Sequence, residues 1–324
     1  MYTRSEGFKI YWGRVRIAVA LLASGYSMAA LTLTLAGDTG SPWSLAVQAA
    51  LPASVCASVL AMMVSARRFP ALLKMAAALT LCWTALAFDA RLAASPAPTT
   101  SSHVSVMSAN VLLSNPDTAE AYAAITRAHP DVLVTVETTA GLREALSKSE
   151  YVLVASGSGR ASAVHIWSRI PVVSTYSIAF ANRTLPVAEL SDGTSRFTVV
   201  GVHLMSPTTS ETRKMWVHEW GLLPGALARI HGPVVVLGDF NTSHLHTPMR
   251  KLLEEFDSAS YASFSISSPT WPTQEFGWWK TSGIQLLDLD HILVRGMGAS
   301  EFQRVLIPGS DHAAVSAVVS VVNG

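Results

Sequence analysis

Residues 17–37 (IAVALLASGYSMAALTLTLAG) hold no charge across 21 positions, and residues 43–65 (WSLAVQAALPASVCASVLAMMVS) hold none across 23. At about 1.5 Å rise per residue, each run is long enough to cross the ~30 Å hydrocarbon core of a bilayer as a helix. This feature constrains the chain most, because a soluble core helix rarely needs so many consecutive uncharged residues. A third stretch, 69–88 (FPALLKMAAALTLCWTALAF), carries Lys74 near its start. A lysine there reaches the headgroups by snorkelling, so this stretch too is predicted to span, with an interfacial or re-entrant helix as the alternative. The chain therefore divides into a membrane anchor over 1–94 (spans 17–37, 43–65 and 69–88), a linker over 95–102, and a second domain over 103–324.

Charge supports the division. Eight basic against three acidic residues give positions 1–99 a net charge of +5, and fifteen against nineteen give the remainder −4. Only 14% of the 324 residues are charged, against ~25% in an ordinary soluble domain. Arg4, Lys9, Arg14 and Arg16 precede the first run, and Arg67 and Arg68 lie between the second and third. Basic flanks stay cytoplasmic, so three spans put the second domain on the extracytoplasmic face and two would leave it inside. The first run exceeds the ~7–15 apolar residues of a cleaved signal peptide, and further apolar runs follow it, so it is predicted to remain as an anchor. Cys56 and Cys82 fall inside these runs and read as small packing residues.

Beyond a small, polar, proline-containing stretch at 90–102 the texture changes. Short β-rich runs occur at 103–107, 131–136, 163–167, 196–203, 233–237, 290–294 and 314–322, with helical patterns at 117–128, 210–230 and 247–256. Such alternation predicts an α/β domain with buried strands covered by helices.

Polar residues punctuate the ends of these strands: Asn110, Glu137, His203, Asp239 and Asn241 in GDFN, Asp290 in LDHILV, and Asp311 and His312 in SDH. Each alone has an ordinary explanation. Asn and Asp form turns, and a single histidine is more often a satisfied core residue than a catalyst. The ordered set is more specific than its members. Asn110, PDVLVTVE ending at Glu137, GVHL, GDFN, LDHILV and SDH, with WSRIPV (167–172) and PTWP (269–272) between them, resemble the endonuclease/exonuclease/phosphatase superfamily over residues 103–322. The resemblance implies a four-layer α/β/β/α sandwich and a divalent-metal phosphoesterase reaction.

By the same resemblance Glu137 is the leading metal ligand with Asn110 and Asp311 beside it, for Mg²⁺ or Mn²⁺. Hard oxygen donors suit such an ion, which neutralises and polarises an anionic phosphoryl group. Asp239 orients or deprotonates the attacking water, and Asn241 donates to a phosphoryl oxygen or fixes that water. His312, oriented by Asp290, stabilises charge in the transition state, and His203 contacts the phosphate or assists the leaving group. Two departures stand out. Leu112 occupies a position that is often acidic in the family, which favours one metal over two, and LLDLDH lacks the usual basic residue before Asp290. His165, His244 and His246 match no family position and read as structural.

The chain is similar in length and layout to membrane-anchored bacterial members of the superfamily, the teicoplanin-resistance-type proteins that act on undecaprenyl pyrophosphate. The expected partners are the bilayer and a lipid-linked phosphate. Trp271, Phe276, Trp278 and Trp279 with Lys280 supply rings suited to the headgroup level, or they pack under a loop. A tethered extracellular nuclease is the alternative, disfavoured by the domain's −4 charge since nucleic acid calls for a basic surface. A non-catalytic membrane adaptor is a remote third reading.

Overall fold

The structure, a computed structural model, describes residues 4–36, 45, 51–65, 70–92, 103–158, 164–263, 268–273 and 285–322. The chain forms two compact units, one comprising Met1–Ala90 with Leu245–Thr247, the other Arg91–His244 and Pro248–Gly324.

The first unit contains helices α1 (Arg4–Ala36), α2 (Leu51–Ser65) and α3 (Pro70–Leu92). Small residues face inward, with Ala20, Ser24, Ser27 and Ala30 of α1 and Ser54, Ser58 and Ala61 of α2 buried. Close backbone approach through small side chains is how apolar helices pack without a hydrophobic driving force. The Trp83 indole of α3 donates to the Ser27 hydroxyl at 2.9 Å. Among the described residues one helical stretch, Tyr11–Leu33, is long and apolar enough to cross a membrane; Ser54–Val64 and Pro70–Trp83 are shorter apolar segments. The expectation of about three spans is thus met by one. The described part of the second run is a 15-residue helix, about 22 Å at the α-helical rise. Residues 43, 44 and 46–50 lie outside the described residues, as does the expected linker at 95–102. Cys56 and Cys82 are exposed free thiols, not packing residues between helices.

The second unit is an α/β sandwich of two six-stranded mixed sheets. The first has the order β11 (Met297–Leu306), β12 (Ala313–Val321), β1 (Val104–Asn110), β2 (Val132–Val136), β4 (His165–Ser168), β3 (Val152–Ser156). The second runs β5 (Val172–Phe180), β6 (Arg183–Ser191), β7 (Arg196–His203), β8 (Val234–Asp239), β10 (Asp290–Arg295), β9 (Asp257–Ser258). Val106, Val134 and Val136 of the first sheet meet Val199, Val235, Leu237 and Ile292 of the second in one apolar core. The alternate residues Met107, Ala109 and Leu133 pack instead on Ala121, Ala124 and Ile125 of α4 (Thr118–Ala128) and on Leu142 and Leu146 of α5 (Ala140–Ser147). The period-two alternation of a strand buried on both faces accounts for the near-continuous apolar runs. Over the second sheet lies α6 (Ser210–Leu227), which buries Trp216, Trp220, Leu223 and Leu227, with Trp220 against Phe240.

Topology gathers the polar strand ends. Strands β1 and β2 are parallel, as are β7 and β8, so Asn110, Glu137, His203 and Asp239 all lie at carboxyl ends. Strands β10 and β12 run antiparallel to β8 and β1, so their amino ends meet the same edge. Asp290 pairs directly opposite Asp239, and His312 immediately precedes β12.

Candidate active site

Asn110 and Asp239 come from different sheets, and the Asn110 Nδ2 donates to Asp239 Oδ2 at 3.0 Å. This bond closes the sandwich at its site edge. Asp239 Oδ1 accepts from the Asn241 backbone N–H at 2.8 Å, an Asx-type turn that GDFN makes possible. Gly238 is required there: at φ 153° a Cβ would stand 1.8 Å from the Val202 carbonyl oxygen of the neighbouring strand. The His203 Nε2 sits 3.8 Å from both Glu137 Oε1 and Asp239 Oδ2, bridging the two carboxylates. Glu137 is anchored by the Leu113 N–H on Oε2 at 3.2 Å, and its side chain keeps 25% exposure, which makes it the open carboxylate of the group.

His312 completes the arrangement. Its Nδ1 lies 2.8 Å from Asp290 Oδ2 and its Nε2 3.9 Å from Asp239 Oδ2. The Thr270 hydroxyl donates to the same Asp290 oxygen at 2.6 Å. Ser310 Oγ accepts from the His312 backbone N–H and donates to the Asn110 carbonyl, tying the loop before β12 to the end of β1. Burial opposes a charge on His312, but Asp290 and Asp239, with Asp311 adding, outweigh it and push the imidazole up to about 10. Asp239 moves the other way from a normal carboxyl: burial and then Asp290 raise it to about 7, against the lowering influence of His312. Perturbed groups packed at one strand edge are what an acid–base site requires.

Three non-glycine residues here hold left-handed backbones, Leu112 (φ 59°), Glu137 (φ 55°) and Asn241 (φ 48°). Such conformations cost of order 1–3 kcal/mol each and cluster at functional sites. Asn241 is held in its conformation from several sides. Its Nδ2 donates to the Leu204 carbonyl at 2.9 Å, which commits one amide hydrogen expected for substrate. Its carbonyl accepts from the Trp216 indole at 3.1 Å. The following Thr242 takes Trp216 and Trp220 on its hydroxyl and His291 on its carbonyl.

Seven of the eight residues singled out from the sequence fall into one connected group. Asp311 lies outside those contacts: its Oδ2 accepts from the Trp271 indole at 3.1 Å, while its charge still acts on His312. The PTWP motif therefore contributes through Thr270 and Trp271, which orient the two acidic residues. The motif itself was visible in the sequence, but the two bonds were not. Phe276, Trp278, Trp279 and Lys280 lie outside the described residues. His165, His244 and His246 are buried. His165 lies 2.8 Å from Ser156 Oγ, and His244 lies 2.6 Å from Asp288, a buried pair the sequence did not announce.

Asp239, Asp290 and His312 offer ligand atoms within 4.8 Å of one another, so by proximity this buried trio is a place for a cation. The chemistry favours another. A protonated His312 has no lone pair to give, although Asp290 Oδ1 is buried without a hydrogen-bond partner and leaves a carboxylate oxygen for a cation. Glu137, a carboxylate with a quarter of its side chain exposed at the strand edge beside the buried Asn110, offers the more accessible oxygen donor for a hard divalent ion.

The model of the Endonuclease/Exonuclease/phosphatase family matches residues 107–312. The chain belongs to this family, which depends on divalent metal, and it is a hydrolase acting on phosphoester bonds. Comparison with curated protein sequences returned no match. Among solved structures, truncated TDP2 of Caenorhabditis elegans is similar at 22% identity and a TM-score of 0.50, covering 67% of this chain and 97% of its own. The NExo 3′ phosphatase from Neisseria, bound to a product DNA hairpin, gives 18% and 0.52 over 66% and 98%. The human Nocturnin catalytic domain, with bound sulfate, gives 17% and 0.50 over 68% and 95%. At these identities the likeness is one of fold.

Proposed function

We propose that the chain is a membrane-anchored, Mg²⁺-dependent phosphohydrolase acting on a lipid-linked phosphate such as undecaprenyl pyrophosphate, with its catalytic domain on the extracytoplasmic face. The observation that carries the chemistry is the Asp290–His312–Asp239 arrangement facing Glu137 and His203 across one sheet edge. An apolar 23-residue segment in α1 and the acidic balance of residues 100–324 favour a substrate held at a bilayer over a long nucleic acid.

A divalent ion would be held by Glu137, with Asn110 and Asp311 as the further oxygen donors. Bound there, the ion neutralises and polarises the phosphoryl oxygens. Asp239, raised towards neutrality, takes a proton from the attacking water as its oxygen closes on phosphorus. Asn110 and the Asn241 N–H hold that carboxyl in place. His312 carries its positive charge to the phosphoryl oxygens, where charge accumulates, and Asp290 and Thr270 fix its ring. His203 stands opposite, placed to hold a phosphoryl oxygen or to protonate the leaving oxygen.

A second reading, a tethered extracellular nuclease, is kept because the fold is like that of structures holding product DNA. One experiment separates them. The full chain in detergent is given undecaprenyl pyrophosphate or supercoiled plasmid, with Mg²⁺ or with EDTA. Phosphate release with intact plasmid supports the lipid reading; nicked plasmid without phosphate release replaces it with the nuclease.

A further inference from the structure

We infer that the outer face of α6 is a docking surface for an anionic lipid headgroup layer. The inference rests on the membrane-anchored reading and adds to it the surface that seats the domain on the bilayer.

Helix α6 buries Trp216, Glu219, Trp220, Leu223, Ala226 and Leu227. Its opposite side carries Lys214, Val217, His218, Gly221, Leu222 and Gly225, all exposed, and Arg229 is exposed just past its end. Their spacing of three and four makes one continuous stripe. Val217 and Leu222 are 41% and 39% exposed. Basic residues flank them, with Arg213 and Lys214 on one side and Arg229 on the other.

One exposed acid, Glu211, stands on the stripe in the first turn, three residues before Lys214, against the cations Arg213, Lys214 and Arg229. Glu219 is buried against Arg183, its other oxygen accepting from the Met205 N–H. That local excess of cations occurs on a domain with a net charge of −4, so it is not a general property of the surface. Apolar side chains between cations on one helix face match the chemistry of an interfacial helix on anionic lipid. A Cβ added at Gly221 or Gly225 would meet nothing within 4 Å, so the stripe has a low profile and admits close approach. The buried side of the same helix supports Asn241 through the Trp216 indole.

The test uses the full chain in vesicles, with Cys56 and Cys82 replaced by alanine and a fluorophore placed through Val217→Cys. A control chain carries it through Lys148→Cys, beside α5 on the other outer layer. Vesicles of phosphatidylcholine, with or without phosphatidylglycerol, contain a headgroup spin label as quencher. Quenching at position 217 is expected with phosphatidylglycerol, weak without it, absent at position 148, and reduced by high salt. Each cation near an anionic surface is worth about fivefold in binding, so Lys214→Glu with Arg229→Glu should reduce quenching more than tenfold. Equal quenching in both lipids, or none, overturns the inference. Quenching that follows protein density and not phosphatidylglycerol assigns the face to a second copy and overturns it too. The probe reads lipid contact, so hydrolysis measured in detergent on the same chains fails or succeeds separately.

Discussion

Asp290 Oδ2 accepts from the Thr270 hydroxyl at 2.6 Å and lies 2.8 Å from His312 Nδ1, so one carboxylate oxygen fixes a buried cation and is itself fixed by a motif twenty residues upstream. Asp290→Asn keeps the shape and removes the charge that holds His312 protonated. Turnover should fall about 10²–10³-fold with little change in melting temperature. The double variant with His312→Ala should lose little more than either single one, because the two act as a unit. Steady-state rates and thermal melts of the three variants check this.

Thr270→Val removes the second donor without changing the volume much. A hydrogen bond to a charged group is worth about 1.5–3 kcal/mol, so a roughly tenfold or larger fall in kcat is expected with KM nearly unchanged. An unchanged kcat would remove Thr270 from the positioning of Asp290.

Gly238→Ala should not fold stably. The new Cβ would lie 1.8 Å from a backbone oxygen in a central strand, where nothing flexible can yield. A loss above about 4 kcal/mol follows from a clash of this kind, read as a collapsed melting transition or as aggregation.

Acid should destabilise the second unit through two buried histidines, while Asp239, raised to about 7, takes up its proton first in the folded chain and offsets part of that loss. Burial, with Arg143 adding, lowers His165 to about 4, and burial, with His244 adding, lowers His291 to about 4. In the unfolded chain both take up a proton near pH ~6.5. Above that pH neither state gains one, so nothing is lost. As pH falls from there towards 4 the unfolded chain binds protons that the folded chain refuses, and stability falls. Melting temperatures across this window should drop more steeply for the natural chain than for His165→Gln with His291→Gln.

Glu137→Gln should weaken Mg²⁺ binding about 10–100-fold while preserving the fold. Calorimetric titration of the ion gives the affinity directly, and EDTA should abolish turnover of the natural chain.

The central strands were legible because β1, β2, β4, β7, β8, β10 and β12 are buried on both faces or nearly so, which leaves an apolar run in the sequence. Strands β3, β5 and β11 were not. They are sheet edges with exposed positions, such as Val152, Val172 and Tyr176, and their alternation is broken by polar residues. Strand β6, beside the β5 edge, contains Pro186 and escaped for a similar reason. Asn110, Glu137, His203, Asp239, Asn241, Asp290 and His312 could be named from strand-end position and motif order. What spacing does not encode is which side chain satisfies which: Trp271 takes Asp311, Asn241 spends an amide hydrogen on Leu204, and Asp288 pairs with His244. Apolar composition marked three membrane segments, yet among the described residues only the α1 segment is both long and apolar enough to span: the second run is described as a 15-residue helix, and the 23-residue α3 is apolar over Pro70–Trp83 alone.

The most direct measurement compares Mg²⁺-dependent phosphate release by the full chain and by Asp239→Asn, each shown by circular dichroism to be folded. Asp239 touches Asn110, Asn241, His203 and His312, and no other residue proposed for the chemistry stands in its place. We expect the substitution to remove about 10²–10⁴-fold of the rate, the usual share of a positioned base, at unchanged melting temperature. A folded Asp239→Asn chain that hydrolyses substrate at the natural rate would contradict the assignment of this strand edge as the catalytic site.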